Sequence, residues 1–341
     1  MKTIVVQHPG TSESVSAGLM GMELPPPPPP KGHQLCVAVQ AVSVNPVDTK
    51  LRRHHPATAA ARVLGFDAAG TVIAVGPDAG DFDVGDRVYY AGDITQSGSN
   101  AQWQLVDSRL VAQMPSTLDF PQAAALPLVT LTAWELLFCR MPFQLDCSRA
   151  RGKHLLVIGG AGGVGSMAIQ LARHAGFRVT ATASRPASQQ WCRQLGAETV
   201  LNHHQPLAAQ LATQGPQHFD VILNLADTDA YWEQMGELIA PQGHVGLIVE
   251  PQGALRIGDP YKAKSVSIHW EFMFTRSRHA TSDMAEQHRI LKRAASLIDA
   301  GELLTPHTRT LGVINADNLQ QAHALVESGQ TIGKLTLAGW D

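Results

Sequence analysis

Charge is scarce in this chain. Asp, Glu, Lys and Arg make up 16% of its 341 residues and their signs nearly cancel, at a formal −3, where an average soluble protein carries about 25% charged residues. The basic excess or basic patch of a nucleic-acid or membrane-surface binder is missing, so neither partner is expected. An apolar share of 44% in turn excludes a disordered chain. Cysteine is sparse as well. Cys36, Cys139, Cys147 and Cys192 are scattered without a C-x-x-C pair, which excludes a disulfide framework or a zinc ribbon. No segment reaches the roughly 18–20 uninterrupted apolar residues of a membrane helix. The richest stretch, 123–138, is broken by Pro127, Thr130, Thr132 and Glu135. The apolar run after Met1 is shorter than the roughly 7–15 residues of a secretory signal core. It reads as a first strand, and a soluble cytoplasmic protein is expected.

What is present points to two domains, since the length exceeds that of one typical domain. Residues 1–115 alternate short apolar runs, such as Leu35–Val39 and Gly70–Val75, with Gly, Pro and Asp punctuation, the pattern of β-strands. Six consecutive prolines, Pro25–Pro30, predict an extended polyproline II connection. From about Ala123 strands alternate with helices. Leu155–Gly159, Phe177–Ala183, Phe219–Asn224 and His244–Val249 read as strands, with helices over Ser166–Ala175, Ser188–Leu195 and Tyr231–Ile239 between them. That alternation predicts a parallel sheet covered on both faces. Two helices follow, from about Asp283 to Ala300 and from Ala316 to Ser328, with Gly329 as the natural C-cap. Lys334–Ala338 reads as a closing strand.

The most informative stretch is Leu155–Gly165. Gly160, Gly162 and Gly165 form G-x-G-x-x-G after a strand and at the start of a helix. Gly160 is expected to allow the tight turn, Gly162 the approach of a pyrophosphate, and Gly165 close helix–strand packing, with Gly163 and Val164 at the helix N-terminus. About twenty residues on, an NAD site usually holds an Asp or Glu for the ribose 2′-hydroxyl. Here Ala183, Ser184 and Arg185 occupy that end of the strand. With no carboxylate to repel a 2′-phosphate, and with donors and a positive charge to hold it, NADPH is favoured over NADH.

Several segments in order, Ser43–Lys50 (SVNPVDTK), Val63–Gly70 (VLGFDAAG), Val84–Val88 (VGDRV), Leu131–Glu135 (LTAWE), the glycine motif and Gly333-Lys334, resemble the medium-chain dehydrogenase/reductase superfamily over essentially the whole chain. Within it the similarity is to the zinc-independent quinone oxidoreductase (zeta-crystallin-like) branch. The segment His269–Arg276 is characteristic of the subgroup called zinc-type alcohol dehydrogenase-like. The resemblance implies an α/β protein in which a Rossmann doubly wound parallel sheet, 127–276, is inserted in a β-rich GroES-like catalytic domain built from 1–126 and 277–341. It also implies a homodimer. Asn45 would lie at the nicotinamide end, Lys50 at a position often held by Tyr, and Thr132 near the nicotinamide ribose. His203 would stand against the adenine and Lys334 would reach a phosphate. Arg52, Arg53, His54 and His55 would line the loop after Lys50, and Trp270, Phe272 and Phe274 are expected to be core or interface residues.

Fifteen His and four Cys raise the question of zinc. In zinc-dependent members a Cys and a Gly-His-Glu segment supply ligands, and a four-Cys lobe follows. This chain has Asn45, Phe66 and Asp67 at those positions and no Cys between Tyr90 and Ala101. Zinc needs about four converging N, S or O donors, so no metal is expected. Without a Lewis acid, hydride transfer to an already electrophilic acceptor is easier than alcohol oxidation. The expected function is NADPH-dependent reduction of quinones or α,β-unsaturated carbonyl compounds. A zinc-type alcohol dehydrogenase with unconventional ligands and a non-catalytic, crystallin-like NADPH-binding protein are the alternatives.

Overall fold

A computed structural model describes residues 1–7, 18–145 and 148–341, so Cys147 lies outside the described residues. The chain forms two compact units, Met1–Leu131 with Phe274–Asp341, and Thr132–Met273. Both joins fall a few residues inside the expected 127–276 insert, the first of them within the Pro127–Trp134 helix.

The first unit is built on strands β1 (Lys2–Gln7), β2 (Gly18–Glu23), β3 (Gln34–Ser43), β4 (Arg62–Val63), β5 (Ala68–Val75), β6 (Arg87–Tyr90), β7 (Trp103–Asp107) and β8 (Val111–Gln113). β1 lies between β2 and β4 in a small antiparallel sheet, whereas β3, β5, β6 and β8 pair antiparallel in a second sheet that also carries β7 on β3. Inward residues of that second sheet, including Leu35, Val37, Val39, Val72, Val88 and Tyr90, form its core. The proline run connects β2 to β3 without regular pairing. Along it every third residue, Leu24, Pro27 and Pro30, is half-buried while those between are exposed, the threefold repeat of a polyproline II helix.

The second unit holds β9 (His154–Ile158), β10 (Arg178–Thr182), β11 (Thr199–Leu201), β12 (Phe219–Asn224), β13 (Ile239–Leu247) and β14 (Ser267–Trp270). Their spatial order is β11-β10-β9-β12-β13-β14, parallel throughout. A sheet covered on both faces needs strands that are apolar on both sides, and Leu155, Leu156, Val157 and Ile158 are all buried. Chain order reverses between β9 and β12, and the carboxyl ends of strands at such a switch point are where this architecture binds ligands. β13 begins at Ile239, five residues ahead of the expected His244, because Ile239 pairs with Phe219 before the register shifts.

The chain then returns to the first unit. β15 (His307–Thr310) lies parallel to β16 (Lys334–Ala338), and β16 closes antiparallel against β3. Helices Glu286–Asp299 and Ala316–Glu327 accompany them. The latter ends as the sequence suggests: Gly329 takes φ +68° just beyond it, the left-handed conformation in which glycine meets no Cβ penalty. The apolar helical run Phe120–Arg140 has membrane-span length, but 83% of its most apolar window is buried within the protein.

Candidate active site

In the second unit, β9 leads through Gly159–Gly162 into the Gly163–His174 helix. The left-handed residue of the turn is Gly159, at φ +84°, and not Gly160 as the motif spacing suggests. Gly160 is required for packing: a Cβ there would lie 2.8 Å from the Cβ of Ala181 and 3.1 Å from Cys192 Sγ. At Gly165 a Cβ would lie 2.3 Å from the Gly159 carbonyl oxygen, so the helix can approach the turn only with glycine. Gly162 differs from both. A Cβ there would meet nothing nearer than the Gly159 oxygen at 3.6 Å, so the protein's own packing does not demand glycine. Gly162 is the N-cap and offers no capping side chain. The N–H groups at the start of this helix have no intrahelical acceptors and present a partial positive charge. An anion fits there.

The ends of β10 and β11 flank this turn. Gly159 N donates to Thr182 Oγ1 at 3.0 Å, Gly160 N to the Thr182 carbonyl at 3.1 Å, and Ala183 N to the Leu201 carbonyl at 2.9 Å. Ser184, half-buried, and Arg185, exposed, follow at the head of the Pro186–Gln194 helix. His203 is half-buried and its ring meets that of His204 edge-on, centroids 4.6 Å apart. Burial lowers the His203 pKa, and the neighbouring His204 and Arg185 lower it further. The structure thus places Ser184, Arg185 and His203 at the ends of the two strands beside the glycine turn, with Arg185 supplying the positive charge among them. Thr132, the first residue of this unit, is buried in the Pro127–Trp134 helix.

In the first unit, the SVNPVDTK segment forms the Pro46–Arg53 helix with Asn45 as N-cap. Asp48 Oδ2 accepts from Asn45 N at 2.8 Å and Asp48 Oδ1 from Gly65 N at 3.1 Å, which pins the helix start to the neighbouring loop. Gly65 has φ +110°, and a Cβ would lie 2.5 Å from Ser99 Oγ, so the loop holding Phe66 and Asp67 is fixed by a glycine. Asp67 is fully buried. Its Oδ1 accepts from Leu128 N at 2.7 Å, and its Oδ2 accepts from Asn45 Nδ2 at 2.7 Å and from Lys334 Nζ at 3.0 Å. Lys334 Nζ also donates to the Val44 carbonyl at 2.9 Å and to Asn45 Oδ1 at 2.5 Å. Burial pushes the Asp67 pKa up and that of Asp48 up to about 7, against the pull of the Lys334 ammonium on both.

One sequence expectation is corrected here. Lys334 does not reach for a phosphate: it is 4% exposed and its three N–H donors are matched by three protein acceptors. Asn45 is 1% exposed, with its amide held between Asp67 and Lys334, so it orders the pocket. Of the cationic residues after it, Arg52 and Arg53 belong to the helix itself, and Arg52 donates to Glu327 Oε1 at 2.8 Å. His54 Nδ1 lies 2.8 Å from the Lys50 carbonyl. Lys50 is exposed.

The profile described as "Alcohol dehydrogenase GroES-like domain" matches residues 31–116, and that described as "Zinc-binding dehydrogenase" matches 195–337. A "Zinc-type alcohol dehydrogenase-like protein" from Staphylococcus epidermidis is 42% identical over 310 residues, 90% of this chain and 91% of the relative. The chain belongs to the medium-chain dehydrogenase/reductase superfamily. A crystal structure of a putative zinc-dependent alcohol dehydrogenase from Rhizobium etli superposes on this member with a TM-score of 0.92, at 46% identity, covering 100% of this chain and 98% of the other. The 2-methylene-furan-3-one reductase of Solanum lycopersicum is 30% identical over 322 residues, 90% of this chain and 72% of the relative. This medium-chain member is therefore an oxidoreductase with a GroES-like domain and a Rossmann domain.

Proposed function

We propose that this dehydrogenase/reductase uses NADPH to reduce quinones or α,β-unsaturated carbonyl compounds. The observation that carries the reading is the end of β10, where Ser184 and Arg185 stand beside His203 with no carboxylate in the position that would favour NADH. The N–H groups at Gly162–Val164 hold the pyrophosphate, the Ser184 hydroxyl and Arg185 guanidinium hold the ribose 2′-phosphate, and the His203 ring packs on the adenine. NADPH supplies the hydride. The Val44, Asn45 and Asp67 oxygens are engaged by the Lys334 ammonium, which fits an acceptor that is already electrophilic, as a quinone or an enone is, better than an alcohol in need of a metal. The relative named as a 2-methylene-furan-3-one reductase supports the enone class. We further propose that it works in the cytoplasm as a homodimer.

Arg185→Asp tests the cofactor assignment. It replaces an attraction for the 2′-phosphate by a repulsion, so the Kd for NADPH should rise by at least about tenfold, with little change for NADH. Fluorescence titration with both nucleotides checks this, and equal losses for the two would refute the assignment. Oxidation of NADPH across a panel of quinones, enals and saturated aldehydes then separates the acceptor classes.

A further inference from the structure

The descriptions of the relatives carry a metal that this chain's own residues do not accommodate. Zinc requires about four N, S or O donors converging on one point. At the positions where zinc-dependent members place ligands, Phe66 has no donor, and its ring packs edge-on against Phe274 with centroids 5.2 Å apart. The donors that remain converge on a different cation. The Val44 carbonyl, Asn45 Oδ1 and Asp67 Oδ2 surround Lys334 Nζ at 2.9, 2.5 and 3.0 Å. Among the described residues no group of three or more His, Cys, Asp or Glu side chains is arranged to hold a metal.

We infer that the Lys334 ammonium is the resident cation of this pocket and closes it to a divalent metal. The backbone delivers the ammonium there. Gly333 takes φ +59°, and a Cβ at that residue would lie 2.3 Å from the Pro306 carbonyl oxygen, so only glycine permits the turn into β16. Lys334 N donates to that same carbonyl at 2.8 Å, and Val44 N to the Leu335 carbonyl at 3.4 Å. The antiparallel register of β16 on β3, with Thr336 opposite Ser43, then sets Lys334 beside Val44 and Asn45. One charge on Lys334 compensates Asp67, which is fully buried. A divalent ion in the same place would have to displace the ammonium or face it at contact distance, where like charges repel strongly in a dry interior.

Three measurements test this, and none relies on turnover. The wild-type protein, purified without chelators, should carry far less than one zinc per chain by mass spectrometry, and added zinc should leave its Tm unchanged. Stoichiometric zinc that is lost on chelation together with stability overturns the inference. Lys334→Ala opens a space bounded by the same three acceptors, so methyl-, ethyl- or propylammonium should raise the Tm of that variant saturably while tetramethylammonium does not. A variant indifferent to these amines overturns it as well. Should that variant not fold, Lys334→Met keeps the volume and removes the charge, and its Tm should fall by roughly 10 °C because a buried carboxylate is left alone. Adding Asp67→Asn to Lys334→Met should recover part of the loss. Simple addition of the two losses would mean that Lys334 does not compensate Asp67.

Discussion

His323 is fully buried in the Ala316–Glu327 helix, and neither of its ring nitrogens has a hydrogen-bond partner among the described residues. Burial, assisted by the nearby Arg52 charge, lowers its pKa to about 4. The folded state therefore holds a neutral ring, while the unfolded chain takes up a proton near pH 6.5. Stability is complete above about pH 6.5 and is lost as the pH falls from there toward 4, at roughly 1.4 kcal/mol per pH unit. Between pH 7 and pH 5 this one residue should lower the stability by about 2 kcal/mol. His323→Leu removes both the proton linkage and an unsatisfied polar group. Its Tm should equal or exceed that of the wild type at pH 7 and exceed it by several degrees at pH 5. A calorimetric comparison at the two pH values is decisive, because the remaining histidines are common to both proteins. If the two Tm curves run parallel across that range, another group controls acid sensitivity.

Elements show a second buried charge arrangement, in the Rossmann unit. After the Pro127–Trp134 α-helix the backbone continues as a π-helix, Glu135–Arg140. Residues five apart share a face in that geometry, which places Arg140 on Glu135, at 3.3 Å, and on Glu271 just beyond β14, at 2.7 Å. Both glutamate side chains are fully buried. Arg140→Met would take the shared guanidinium from two buried carboxylates, so a loss of about 3–5 kcal/mol is expected, read as a lower urea midpoint. Arg140→Lys should recover only part of it, since Lys lacks the planar fork that serves two carboxylates. Neither arrangement could be read from the sequence. Local patterns gave the alternation of strands and helices, the glycine turn and the cap at Gly329, because each depends on residues within a few positions of one another. The partners of Lys334 and Arg52 are remote, Asn45 lying 289 residues from Lys334 and Glu327 lying 275 from Arg52. Those contacts follow from strand register and helix packing, which periodicity does not encode. Even within the glycine motif, spacing gave Gly160 the turn that Gly159 makes.

On the scale of the whole molecule, the edges of the six-stranded sheet differ. One edge, β11, is a strand of three residues, Thr199–Leu201. The other, β14, reads Ser-Ile-His-Trp over Ser267–Trp270, with Trp270 49% exposed and Phe272 just beyond it 42% exposed. Natural proteins protect a free edge with Lys, Pro, a bulge or a cover, and β14 contains neither Lys nor Pro. That is the edge on which the proposed homodimer would pair: two copies of β14 meeting antiparallel about a two-fold axis would satisfy the free backbone groups and shield Trp270. The wild type should then sediment as a dimer at micromolar concentration. Trp270→Lys puts two like charges near the axis and should shift it toward monomer, with secondary structure and NADPH affinity retained. A wild-type protein that stays monomeric as concentration rises would leave β14 an unpaired edge and remove the dimer from the proposal.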